Sequence, residues 1–222
     1  MKLRNESLDP IELKKAENEL LDKWADTIPG FIRDGLPDPK KYCSSPIRIL
    51  FILKEVNGGQ DWDLRDFLRN GARWQTWNVV ARWAEGILNH NKDYSWNELS
   101  ENNDERRNHI LQNICAINVK KTSGTDVANN RTIKEAAINN SENLKQQIEL
   151  YKPDIIICCG TESSYLKVMN NKPNWKETRR GIWYFIEDSG TIVISYSHPE
   201  ARTKECLLYY GLLDAVKEIL SE

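Results

Sequence analysis

Several side chains in this sequence have the chemistry of a ligand-binding or reactive site, and each follows a short apolar run. Glu55 comes directly after Ile49–Leu53 and Lys54, where a carboxylate can take a proton or order a water. Asn118 closes the stretch Asn113–Asn118, and its amide offers a ligand both a donor and an acceptor. His198 stands before Pro199 at the end of a third apolar run. Gly58 and Gly59 follow Glu55, while Lys120, Lys121, Thr122 and Ser123 follow Asn118. The latter is a basic, hydroxyl-rich loop suited to a phosphate backbone. Taken singly, each has a bland alternative: a tight turn, an ordinary charged loop, or a loop histidine. Asp61, Asp63 and Asp66 read either as part of a site or as solvated residues and helix caps.

The elements that would position these residues are buried strands alternating with helices. Ile49–Leu53 is apolar without alternation, as is Ile155–Cys159 within Asp154–Gly160, and such runs read as strands covered on both faces. Residues 181–197 read as two strands around a turn at Asp188, Ser189 and Gly190. Helices are expected over Pro10–Trp24, from Trp74 to Leu88, from Thr132 to Leu150, over 162–169 and over Thr203–Leu220. Asp9 is placed to cap the first. Pro29–Pro46 reads as a connection without an element. Trp74 and Trp77 read as core residues. The pattern predicts an α/β fold: a three-layer sandwich with a central, mainly parallel four-stranded sheet and helices on both faces. In such sheets ligands sit beyond the carboxyl ends of the strands, which brings Glu55, Gly58, Asn118, Gly160 and His198 to one edge.

Composition narrows the class. The chain has 222 residues, 40% of them hydrophobic, and a net charge of −2, as expected for one soluble globular domain. Residues 1–46 form its N-terminal helix and connection. The near-neutral balance excludes a broadly basic surface, so any nucleic-acid contact is local. No apolar run approaches the roughly 18 residues of a membrane span. The N-terminus MKLRNESLDP lacks the apolar core of a signal peptide, which points to the cytoplasm. The five cysteines, with Cys158 and Cys159 adjacent in an apolar run, suit buried free thiols better than disulfides or a metal site.

Read together, these stretches resemble the uracil-DNA glycosylase superfamily, nearest to the branch whose first motif is G-E-A-P-G. That motif is matched by Lys54-Glu55-Val56-Asn57-Gly58, and the following R-P-F by Arg65-Asp66-Phe67. The family's asparagine strand, I-T-N-V-V-K-C-R-P, is matched by Ala116-Ile117-Asn118-Val119-Lys120-Lys121. The helix end Q-I-E-L-x-x-P is matched by Gln147–Pro153, and the H-P-S loop by Ser197-His198-Pro199-Glu200. The matches run in the family's order from about residue 47 onward.

The resemblance implies excision of uracil or a related damaged base by flipping it out of DNA and hydrolysing its N-glycosidic bond. It implies that Asn118 reads the base edge and Phe67 stacks on the ring. His198 would donate a hydrogen bond to the leaving base, and Glu55, or Asp61 as a second candidate, would handle the water. Gly58, Gly59, Lys120, Lys121 and Ser197 would hold phosphates. The implied partner is DNA, with no membrane and no obligate protein partner. Lys54 stands where the family has glycine, and Asn57 where it has proline. The cysteines lack the spacing of that branch's iron–sulfur cluster, so no cofactor and no metal are expected. The alternative reading is a non-catalytic relative that binds nucleic acid or a nucleotide through the same pocket.

Overall fold

Strand β1 (Ile49–Leu53) lies inside the sheet, one strand from its edge, with all five side chains buried. Its pleat divides them between two cores. Ile49, Phe51 and Leu53 join one, and Leu50 and Ile52 the other, as the two-residue period of a strand requires. The computed structural model describes residues 7–58, 62–124 and 128–221. Helices α1 (Pro10–Ala25) and α2 (Pro39–Ser44) precede β1, and α3 (Leu64–Arg69), α4 (Trp74–Leu88), α5 (Trp96–Ser100) and α6 (Asn103–Ile110) follow it. Next come β2 (Cys115–Asn118), α7 (Asn130–Asn139), α8 (Ser141–Tyr151), β3 (Ile155–Cys159) and α9 (Glu162–Met169). The chain ends with β4 (Lys176–Glu177), β5 (Trp183–Ile186), β6 (Ile192–Tyr196) and α10 (Glu205–Ser221).

The sheet has six strands in the order β2-β1-β3-β6-β5-β4. The first four in that order are mutually parallel, and β5 and β4 add antiparallel pairs at the far side. Helices cover both faces: α3, α4 and α10 line one core, and α1, α7, α8 and α9 the other. The expected four-stranded sheet is therefore corrected to a larger, mixed one. The tight turn from Glu187 to Thr191, closed by Glu187 N–H to Thr191 O at 2.9 Å, forces β5 to return antiparallel to β6. Lys176–Glu177 is too short and too exposed to show a strand pattern in sequence. Two helix expectations also change. The segment 132–150 is two helices broken at Asn139–Asn140, and Pro29–Pro46 contains α2, whose N-cap is Asp38. Trp77 is buried, but Trp74 is 67% exposed. Among the described residues no helix is long and apolar enough to cross a membrane.

The connection after α1 does more than link elements. Gly35 exchanges backbone hydrogen bonds with Ala116 at 2.9 and 3.1 Å, and Ile32 N–H reaches Lys121 O at 2.6 Å. This covers the open side of β2. Gly35 has φ +133°, and a β-carbon there would lie 2.2 Å from Glu17 Oε1, so glycine is required on both counts.

This clamp carries Asp34 into the interior, where it is 1% exposed. Its carboxylate accepts the Asn118 backbone N–H at 2.7 Å, the Lys121 ammonium at 2.6 Å and the Gln147 amide at 2.9 Å. Gln147 also accepts from Lys121 at 2.7 Å and donates to the Tyr151 hydroxyl, which donates to Glu17. Glu17 takes Leu36 N–H and Arg65 as well, so every ion in the cluster has a counter-charge and directed hydrogen bonds. Breaking such a pair from one side strands a buried charge. Asp34→Ala should therefore lower stability by about 3–5 kcal/mol, roughly 10 °C in a chain of this size. Asp34→Asn should fall between it and the parent in thermal denaturation.

Candidate functional site at the carboxyl edge of the sheet

The four parallel strands end along one rim. Register pairs Leu53 with Asn118, Ile52 with Cys158 and Cys159 with Tyr196, so Glu55, Asn118, Gly160 and His198 leave neighbouring strands on the same edge. The exits of β1 and β2 are joined. Val119 N–H donates to Leu53 O and Lys120 N–H to Lys54 O, both at 2.9 Å. Gly124 N–H reaches Val56 O at 2.8 Å, and the Ser123 hydroxyl donates to Gly58 O.

Asn118 is 3% exposed, and its side-chain amide takes no hydrogen bond among the described residues. An amide brought to a strand end without an internal partner is free to pair with a ligand. Its backbone is tied to Asp34, which sets where that amide stands. Asp34 escaped sequence reading because a carboxylate in a Pro- and Gly-rich connection looks solvated.

His198 is half-buried. Glu200 N–H donates to its Nδ1 at 3.2 Å, so the neutral ring carries its proton on Nε2 as a free donor. Burial pushes the imidazole below the ordinary histidine range, and Lys54 lowers it further, while Glu200 opposes the shift.

Glu55 pairs with Lys120 at 2.6 Å, and its side chain is 6% exposed. It lies against Gly124, where a β-carbon would come within 2.1 Å of its carboxyl carbon. Lys120 also donates to Ser123 O at 2.9 Å. Its ammonium is thus engaged by two groups of the rim, while its side chain stays 22% exposed.

Lys121 requires a correction. Its side chain has no exposure, and its ammonium is held by Asp34 and Gln147 over the Trp24 ring. It braces the interior and is out of reach of a phosphate. Gly58 and Ser197 are exposed at the rim. Gly59 and Asp61 lie outside the described residues.

Phe67, on α3, packs edge-to-face on Trp62 at 5.3 Å between centroids. Both line a surface cleft of about 870 Å³ together with Phe31, Arg33 and Asp63. Glu55, Asn118 and His198 do not line it, so Phe67 is set apart from the rim residues. The cleft and rim share a wall, because the segment carrying Phe31 and Arg33 pairs with β2 and its exit. Arg65 is half-buried between Asp63 and Glu17 and ties α3 to α1.

Lys54 is the rim residue that spacing passed over. Its Nζ donates to Asn130 Oδ1 at 3.0 Å, and its Cε lies 3.6 Å from where Gly160 would carry a β-carbon. Among the described residues, no cluster of three or more His, Cys, Asp or Glu is placed to hold a metal ion. Fold and rim together define an α/β protein with polar groups gathered at the ligand edge of its sheet. No protein-family model and no curated protein matches the chain.

The His198 geometry predicts a pH response. Its pKa is depressed on folding, so the unfolded chain binds more protons between the folded value and the ordinary value near 6.5. Its contribution to stability is complete above about pH 6.5 and is lost as pH falls through the folded pKa. Protonating Nδ1 would also oppose it to the Glu200 N–H. Ring resonances followed by NMR should titrate below pH 6.5, and higher in Lys54→Gln.

Proposed function

We propose that this protein is a DNA glycosylase that removes uracil or a related damaged base by hydrolysing the N-glycosidic bond of a flipped nucleotide. The observation that carries the reading is the side-chain amide of Asn118, on a residue 3% exposed and without a partner among the described residues, at the same sheet edge as the Nε2–H of His198. On this reading a flat heterocycle with alternating donors and acceptors bridges the two groups across the exits of β1 and β3. Asn118 pairs with the base edge, and His198 donates to the base oxygen on which negative charge builds as the bond to the sugar breaks. A neutral donor fixed in advance suits that role, since it stabilises charge without first surrendering a proton. Glu55 orients the water or offsets positive charge on the sugar, and Phe67 lines the adjoining cleft. DNA is the partner on this reading, and no cofactor is needed.

A second reading has its own support. The Glu55 carboxylate is already paired with Lys120, which favours a relative that binds a nucleotide through the same rim without cleaving it.

Single-turnover assays on uracil-containing single- and double-stranded oligonucleotides separate the two. The glycosylase reading expects alkali-labile sites from the parent protein. It also expects a loss of about 10²–10³-fold in cleavage rate for His198→Ala, and a comparable loss for Asn118→Ala, with each variant's melting temperature close to the parent's. Binding without any base release from uracil or other damaged bases would favour the second reading.

A further inference from the structure

We infer that Lys54 forms an anion subsite in the crevice between β1 and β3, where its ammonium takes a negatively charged oxygen of the bound nucleotide, either a phosphate oxygen or an oxygen of the base. The subsite deepens the nucleotide reading above and rests on it for the source of that oxygen. Three lysines lie at or just beyond the exits of β1 and β2, and their surroundings differ. Lys120 is neutralised by Glu55 and Lys121 by Asp34, at 2.6 Å in each case. Lys54 has no carboxylate partner among the described residues, and its ammonium is held by the neutral amide oxygen of Asn130.

Its position is the one where open α/β sheets bind ligands. In the order β2-β1-β3-β6 the chain moves to one side of β1 for β2 and to the other for β3, so the strand order switches between β1 and β3. Lys54 leaves β1 at this point and lies over Gly160, the exit of β3, with its Nζ 4.0 Å from the site of the missing β-carbon. Gly160 N–H donates to Tyr196 O at 2.8 Å, joining this exit to the strand that leads to His198. Asn118 belongs to the other face: in register with Leu53, it follows the side of β1 that packs on α3, α4 and α10, whereas Lys54 faces α7, so this side of the crevice is formed by Lys54, Gly160 and the start of α7.

The local charge points the same way. Asn130 is the first residue of α7, and that helix has no acidic residue in its first turn. A positive helix end and an unneutralised ammonium therefore face the crevice together, and an anion lowers the energy of both. Lys54 also disfavours the protonated form of His198, so a bound anion would relieve this repulsion.

The test uses the full-length protein labelled for NMR and titrated with inorganic phosphate at pH 7. The Gly160 amide and the His198 ring should shift saturably in the parent and in Lys134→Gln, which removes a charge from the exposed face of α7. In Lys54→Gln the affinity should fall by about tenfold or more, with the remaining amide spectrum unchanged. A flat titration in the parent, or equal affinity in Lys54→Gln, would overturn the proposal. Titrations with a thymidine oligonucleotide and with free uracil identify the source of the oxygen. Loss of oligonucleotide affinity in Lys54→Gln with uracil binding intact assigns a phosphate, and the reverse assigns the base. If inorganic phosphate binds through Lys54 while neither nucleic-acid probe does, the anion subsite stands and its assignment to a nucleotide oxygen fails, while the glycosylase reading is decided by the cleavage assay above.

Discussion

The burial of Asp34 organises the molecule. A carboxylate inside a protein is costly unless it is paired and hydrogen-bonded, and this one has an ammonium, an amide and a backbone N–H within 2.9 Å. Those three partners belong to β2, to the loop after it and to α8. The Asp34 segment itself runs along the open side of β2. One side chain therefore holds the connection, the edge strand and a covering helix in a single arrangement. Glu17 extends the cluster through Tyr151 and Gln147, and Arg65 carries it on to α3. Burial raises the Glu17 carboxyl above its ordinary range, while Arg65 and the Leu36 N–H pull it back.

The rim inherits its geometry from this interior. The backbone N–H of Asn118 is taken by Asp34, which fixes the strand end that carries its side-chain amide, and that amide has no partner among the described residues. The loops after β1 and β2 are joined by backbone hydrogen bonds, which brings Glu55 to Lys120 and leaves Lys54 turned toward β3 and α7. Three lysines close in sequence thus acquire three different roles: one pairs with a rim carboxylate, one braces the core, and one faces the crevice.

The aromatic cleft beside the rim rests on the same construction. Its floor includes Phe67 and Trp62, and its wall is the Phe31–Arg33 segment that pairs with β2 and its exit. Asp63 caps α3 by accepting Arg65 N–H, and Asp66 pairs with Arg69, so two of the three aspartates that follow β1 hold a helix in place. The rim and the cleft are separate sets of residues with one shared wall.

Much of the architecture was legible because hydrophobic periodicity is local. The unbroken apolar runs at Ile49–Leu53 and Ile155–Cys159 can be covered only on both faces, and the amphipathic pattern of Trp74–Leu88 allows little but a helix against the sheet. From these alone followed alternating strands and helices, and a common edge for Glu55, Asn118 and His198. Tertiary structure decided which polar groups neutralise one another. Lys121 and Lys120 are neighbours of the same type, and nothing nearby in the chain separates a lysine bound to Asp34, 87 positions away, from one bound to Glu55. A charge pair needs contact near 3 Å between residues that the fold alone brings together, whereas an apolar face needs only the right spacing along a few turns.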